Sequence, residues 1–267
     1  MKHLLTENRD GALWATFNRP EVFNSISTRM ACELDEMWEW ARSDSAIRLV
    51  VLTGAGDRAF CSGGDLKQLI PLLTGARQPQ DEYDRRFLAP GFASRITIRD
   101  DSFHKPIVAA VNGIALGGGS ELAVASDIRI AASTARFGLS EPKVGIVAAG
   151  GTTVRLPRQI PWCQAMEFLL TGEQITAQRA LEIGLLNRVV EPSQLLTEVQ
   201  KVIDKLLDNA PLALQAIKRV ALQSSGVSLQ EGFGIESHEL IAVLATEDAR
   251  EGPRAFAEKR KPQFVGR

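Results

Sequence analysis

Two carboxylates and two glycine-rich turns are the residues of this sequence whose types and spacing suit chemistry. Val111-Asn112-Gly113-Ile114-Ala115-Leu116-Gly117-Gly118-Gly119-Ser120-Glu121-Leu122-Ala123 joins an apolar run, three glycines and a glutamate. Glu141 follows 20 residues later, inside Phe137-Gly138-Leu139-Ser140-Glu141-Pro142. Earlier, Phe60-Cys61-Ser62-Gly63-Gly64-Asp65-Leu66 carries a second glycine-rich turn. Glycine permits close backbone approach and leaves its N–H bare. Glu121 falls in the first turn of a helix that Leu122 to Ala125 continue. Such a helix start favours negative charge, including charge developing on a substrate oxygen. If the strands before the two turns are neighbours, the N–H groups of Gly64 and Gly118 could point at one oxygen, which suits a thioester carbonyl that becomes an enolate. Glu121 and Glu141, flanking a water, would then form an acid/base pair. Plainer explanations stand beside these. The glycines make tight turns, Glu121 complements a helix dipole, and Glu141 is a solvated loop carboxylate.

Other chemistries have less to build on. His3, His104 and His238 are dispersed, which gives little support to a triad or a metal site. Neither glycine turn matches a P-loop or dinucleotide fingerprint, and no Gly-x-Ser-x-Gly elbow occurs. Cys32, Cys61 and Cys163 are odd in number and lack zinc or redox spacing, which suits a reducing compartment. A net charge of −1 gives no global field for nucleic acid. The start, Met1-Lys2-His3-Leu4-Leu5-Thr6-Glu7, does not read as a signal peptide, and no apolar run approaches membrane-span length. The expectation is a cytoplasmic protein without membrane or nucleic-acid partners.

The elements that must position these residues alternate. Ala12–Phe17, Arg48–Gly54, Ile107–Val111 and Asp127–Ala132 read as strands, and Thr28–Ala41 as a helix with Met30, Leu34, Met37, Trp38 and Ala41 at helical spacing. Gly63 to Leu66 lead into another helix. Residues 74–84 are polar and read as a mobile surface loop or an active-site cover. Thr176 caps a helix over Ala177–Ile183, ended by Gly184, and Leu185–Val190 is a short extended run. Leu195, Leu196, Val199, Val202, Ile203, Leu206 and Leu207 form a helical stripe. Asn209 and Pro211 start the next helix, and Ser228–Thr246 and Glu247–Lys259 complete a helical end. Strands alternating with helices predict α/β architecture. The composition changes near residue 195. Asp65 reads as a helix cap or a binder of backbone groups, Lys259-Arg260-Lys261 as a solvated basic face, and Phe256 as core or interface packing.

At these residues the chain closely resembles the enoyl-CoA hydratase/isomerase (crotonase) family. Asn18-Arg19-Pro20 with Asn24, Phe60 to Leu66, Pro106 to Ala125, and Phe137 to Arg155 match its motifs in order. Leu169 to Gly172, Ala180 to Val190 and Phe256 to Pro262 extend the match over nearly the whole chain. The resemblance implies a spiral of β-β-α units over residues 1–195 and a helical trimerisation region over 196–267, commonly assembled as a trimer or a dimer of trimers. It implies an acyl-CoA thioester substrate and no metal or redox cofactor, the coenzyme A being part of the substrate. By motif position Gly64 and Gly118 supply the oxyanion N–H groups, and Glu121 and Glu141 stand where hydratases carry their catalytic glutamates. Val22, Phe23, Ser62, Asp65, Leu66 and Lys67 lie in segments that line the CoA groove. Phe256 and Lys259 match C-terminal positions that reach CoA, often across a subunit boundary. Retention of both glutamates favours hydration of a trans-2-enoyl-CoA to a 3-hydroxyacyl-CoA. The competitors are isomerisation of a double bond, dehydration of a carnitinyl-CoA-type ester, and, from another class, a non-catalytic acyl-CoA-binding protein. The sequence departs from the family at Gly64, where alanine is common, and at Ala148-Ala149-Gly150-Gly151, where a loop often begins with proline and glycine.

Overall fold

Residues 1–99 and 103–267 are described in the computed structural model. β1 (Leu4–Arg9) and β2 (Ala12–Phe17) form a hairpin turned at Asp10 and Gly11, both at positive φ. α1 (Thr28–Ser43) starts where the Ser27 hydroxyl accepts the Met30 N–H, and its apolar stripe is buried as the spacing predicts. The chain continues through β3 (Leu49–Gly54), β4 (Ala59–Cys61), α2 (Leu69–Leu73), α3 (Glu82–Phe87) and α4 (Phe92–Ile96). Next come β5 (Ile107–Val111), β6 (Ile114–Leu116) and α5 (Gly118–Ala125), then β7 (Ile128–Ala132), β8 (Arg136–Gly138), α6 (Thr152–Gln159) and α7 (Trp162–Thr171). β9 (Gln174–Thr176), α8 (Ala177–Glu182) and β10 (Arg188–Val190) lead to the C-terminal helices α9 (Leu195–Leu207), α10 (Pro211–Gln223), α11 (Leu229–Leu244) and α12 (Glu247–Ala257).

The strands form a large sheet in the order β1-β2-β3-β5-β7-β10 and a small one in the order β4-β6-β8-β9. From β2 onward the large sheet is parallel. The pairs β3/β4, β5/β6 and β7/β8 each give their first strand to the large sheet and their second to the small one, and helices follow. This is the spiral of β-β-α units that the resemblance implies.

A parallel sheet must be covered on both faces, and the sequence supplies both coverings. Val50 and Leu52 face one core with Leu34, Met37, Trp38 and Phe60. Their neighbours Leu49 and Val51 face a second core, which α9 closes with Leu195, Val199, Val202 and Ile203. The helix just beyond the composition change at residue 195 therefore packs on the sheet. α10 and α11 pack chiefly on each other, and Gly232 is the buried residue of α11. No described helix is long and apolar enough to cross a membrane.

Several elements differ from the sequence reading. Residues 74–84 are not simply a solvated loop. Asp81 caps α3, and the buried Asp84 accepts from Arg77 at 2.5 Å and from the Gln80 N–H at 3.0 Å. That pairing holds the Asp84 carboxyl down at about 2, with the Arg77 hydrogen bond as the main cause. The helix after Gly64 begins only at Leu69, and α10 takes Ala210 rather than Asn209 as its cap residue. The three-residue strands β4, β6, β8 and β9 escaped the pattern because so few residues show no alternation, and β1 escaped it because Leu4 is its one buried residue.

Candidate active site

The two glycine turns meet because β4 and β6 are parallel neighbours, and each turn leaves the end of its strand. Gly63 sits at φ +89°, and a side chain there would come within 2.7 Å of the Leu116 carbonyl oxygen. That contact is the close approach of the two turns. A Cβ built on Gly118 would lie 3.7 Å from the Gly64 nitrogen. Gly118 is the first residue of α5 and has no intrahelical acceptor. Among the described residues, neither its N–H nor that of Gly64 donates to a protein acceptor.

Glu121 stands one turn further along α5 and is 7% exposed. Its Oε1 accepts the Gly150 N–H at 2.5 Å and the Thr152 hydroxyl at 3.4 Å. Burial pushes its carboxyl up to about 7, and the neighbouring Glu141 adds to the rise. The Gly150 N–H, the Thr152 hydroxyl and the Arg155 charge oppose it. Glu141 opens a 3₁₀ turn, Glu141–Val144, after β8. Its Oε1 lies 3.0 Å from where a Gly117 side chain would begin, so a bare glycine is needed there. Its Oε2 is buried with no hydrogen-bond partner among the described residues. Burial raises this carboxyl as well.

A cavity of about 250 Å³ opens onto both carboxylates and both glycine turns. Leu69, Ile70 and Leu73 of α2, Phe87 of α3, Ile96 of α4, and Val144, Ile146 and Val147 give it an apolar wall. Two buried carboxyls of raised proton affinity, two acceptor-free N–H groups and an apolar lining suit an acyl substrate whose carbonyl gains negative charge.

The family profile described as enoyl-CoA hydratase/isomerase matches residues 7–267. The chain is 42% identical to an (E)-benzylidenesuccinyl-CoA hydratase of Thauera aromatica, covering 95% of each chain. It is 40% identical to an enoyl-CoA hydratase of Mycobacterium tuberculosis, over 98% of this chain and 96% of the relative. A solved enoyl-CoA hydratase structure from Mycobacterium tuberculosis superposes with a TM-score of 0.89, at 37% identity and with both chains covered completely. The chain belongs to the enoyl-CoA hydratase/isomerase family. Its fold is that of the hydratases over the full length.

Of the residues that the hydratase resemblance singles out, Ser62, Gly64, Leu66, Gly118, Glu121 and Glu141 line this cavity. Val22, Phe23, Asp65 and Lys67 lie outside its walls. Val22 ends a 3₁₀ turn, and Phe23 is left-handed with the Arg58 guanidinium 4.0 Å from its ring centroid. The Ser62 N–H donates to the Phe23 carbonyl at 3.0 Å, which docks this turn against the first glycine turn. Asp65 does not cap α2; it pairs with Arg19 at 3.3 Å. Lys67 is exposed. Phe256 is 87% exposed on α12, and Lys259 follows that helix at φ +53°. Neither borders the cavity of this chain, so Phe256 is not core packing. The sequence reading missed Gly150 and Thr152 as partners of Glu121. Their signal was the Gly150-Gly151 pair directly before α6.

Proposed function

We propose that this chain hydrates trans-2-enoyl-CoA thioesters to 3-hydroxyacyl-CoA, reversibly, with Glu121 and Glu141 as the acid/base pair and the Gly64 and Gly118 N–H groups as the oxyanion site. The observation that carries the proposal is the convergence of both carboxylates and both acceptor-free N–H groups on one apolar-walled cavity. Both carboxyls are raised by burial, so the pair holds a proton near neutral pH and offers one acid and one base. The ionised carboxylate takes a proton from water as the water oxygen bonds to C3. The C2–C3 π electrons move toward the thioester carbonyl, whose oxygen gains charge beside the two N–H groups. The protonated carboxyl then delivers its proton to C2. Charge on that oxygen is larger in the transition state than in the substrate, so N–H groups placed there lower the barrier rather than merely bind.

The thioester itself polarises the double bond, so the reaction calls on no metal or redox cofactor beyond the coenzyme A of the substrate. Val22, Phe23, Ser62, Asp65, Leu66 and Lys67 flank the route by which CoA reaches the cavity. Phe256 and Lys259, exposed on and after α12, are available to the CoA of a neighbouring subunit. Residues 196–267 serve as the trimerisation region of a trimer or dimer of trimers, a role supported by the uncovered apolar side chains of α11. Three free cysteines fit the cytoplasm.

The test is turnover of crotonyl-CoA, followed through loss of the enoyl-thioester absorbance. Glu121→Gln and Glu141→Gln are each expected to lower kcat about 10²- to 10⁴-fold. A folded wild-type protein that leaves crotonyl-CoA and longer trans-2-enoyl-CoAs unchanged sinks the assignment. One that shifts a Δ3 double bond without adding water reassigns it to isomerisation.

A further inference from the structure

The Gly150 N–H that holds Glu121 belongs to the Ala149–Gly150 peptide, and that peptide is itself gripped from behind. Arg99 Nη1 donates to the Ala149 carbonyl at 2.9 Å. In a trans peptide the C=O and N–H point in opposite directions, so fixing one aims the other. Arg155, in the first turn of α6, donates through Nη1 to the Gly150 carbonyl at 3.2 Å and the Thr97 carbonyl at 3.1 Å. Its Nη2 donates to the Ile98 carbonyl. Gly151, at φ +103°, leaves room for both arginines: a Cβ there would lie 2.6 Å from Arg155 Nη1 and 3.3 Å from Arg99 Cγ.

The other end of the grip is strained. Ile98 is buried and β-branched, yet it sits at φ +54°. Such a residue keeps a left-handed backbone only where its surroundings impose it. Thr97 beside it caps α4 and lines the cavity. A continuous path therefore runs from the cavity wall through Thr97 and Ile98 to Arg155, from there to the Gly150 turn, and on to Glu121.

We propose that Arg155, with Arg99, is a positioning residue for Glu121: Arg99 holds the peptide that donates to this carboxylate, and Arg155 ties the next peptide to the strained linker behind the cavity wall. This rests on the reading of Glu121 as a member of the acid/base pair. The charged groups that bear on Glu121 are Glu141, from the turn after β8, and Arg155, from α6. Removing Arg155 takes away a nearby positive charge and frees the Gly150 N–H to turn aside. Both changes raise the proton affinity of Glu121, so no limb of the pH profile moves down and the limb that Glu121 governs moves up.

The experiment compares Arg155→Gln, Arg155→Lys, Arg99→Gln and Glu121→Gln in the full chain with crotonyl-CoA. It reads kcat, KM, the pH profile and thermal stability. Arg155→Gln is expected to lower kcat on the order of 10- to 100-fold with little change in KM, and to move a limb of the kcat profile to higher pH. Arg155→Lys keeps the charge but cannot span three carbonyls. It should lose kcat with a smaller pH displacement. If Arg155→Gln fails to fold, Arg99→Gln carries the test, with the same directions expected. Wild-type kcat and an unmoved profile in folded Arg155→Gln and Arg99→Gln, even at lowered melting temperature, overturn the proposal and leave a purely structural role. Full turnover by Glu121→Gln removes the acid/base reading and this proposal together. An inactive Glu121→Gln beside fully active arginine variants removes only the positioning role.

Discussion

At Glu121 function and stability pull in opposite directions. Burial raises its carboxyl to about 7. A carboxyl whose folded pKa lies above its unfolded value contributes stability at low pH and loses it as the pH rises through the folded value. At pH 8 the ionised side chain therefore strains the fold, by up to about 3 kcal/mol. Glu121→Gln should melt higher than the wild type at pH 8, with the difference shrinking toward pH 5, while losing activity. Calorimetry at the two pH values checks this, and a melting difference that does not depend on pH contradicts it. Gly150 is held to glycine by the same carboxylate, since a Cβ would lie 2.4 Å from Glu121 Oε2. Gly150→Ala is expected to displace Glu121 and lower kcat about 100-fold, with KM much less affected. Steady-state kinetics read that split.

At the scale of elements, the N-terminal strand is held by one side chain of α1. Glu33, buried, accepts the N–H groups of Lys2 at 2.9 Å, His3 at 2.7 Å and Leu4 at 2.8 Å, and an Arg29 bond at 2.9 Å. Burial by itself would raise this carboxyl, but the three N–H groups and Arg29 bring it below the usual value. Its stabilisation is thus complete above the ordinary glutamate range and fades as the pH falls through the lowered folded value. Glu33→Ala strands three backbone donors. Urea unfolding at pH 7 should report a loss of about 2–4 kcal/mol, smaller at pH 3. The same pairing logic explains residues 74–84. Their polar composition reads as loop, yet Arg77 and Asp84 find each other and fix α3 beside the cavity. Local composition carries no record of a partner seven residues away in a folded turn.

For the whole molecule, α11 carries several uncovered apolar side chains, the kind of surface that marks an interaction site. Leu229 is 81% exposed, Ile241 69%, Phe233 62% and Leu244 61%. The double variant Ile241→Asp, Leu244→Asp should sediment as a smaller species than the wild type. It should also weaken CoA-ester binding, if Phe256 and Lys259 serve a neighbouring subunit. Equal masses for the two proteins would contradict assembly through this helix.

The α/β alternation, the helical end and the residues of unusual type were legible in the chain before it was folded. Strand patterns at Leu49–Leu52 and Ile107–Val111, the stripe of α1 and the cap Thr176 act over a few residues, and a few residues suffice to show them. Gly64, Gly118, Glu121 and Glu141 stood out by residue type, and the family resemblance gave them an order. That they surround one cavity emerges from the packing, because it depends on β4 lying beside β6 and on the turn after β8 folding back over Gly117. The packing alone establishes that Gly150 holds Glu121, across 29 residues of chain, and that Arg99 and Arg155 hold the Ala149 and Gly150 carbonyls. Such contacts arise from backbone groups, whose chemistry every residue shares. The identity of the side chain above them carries almost no signal of where they point.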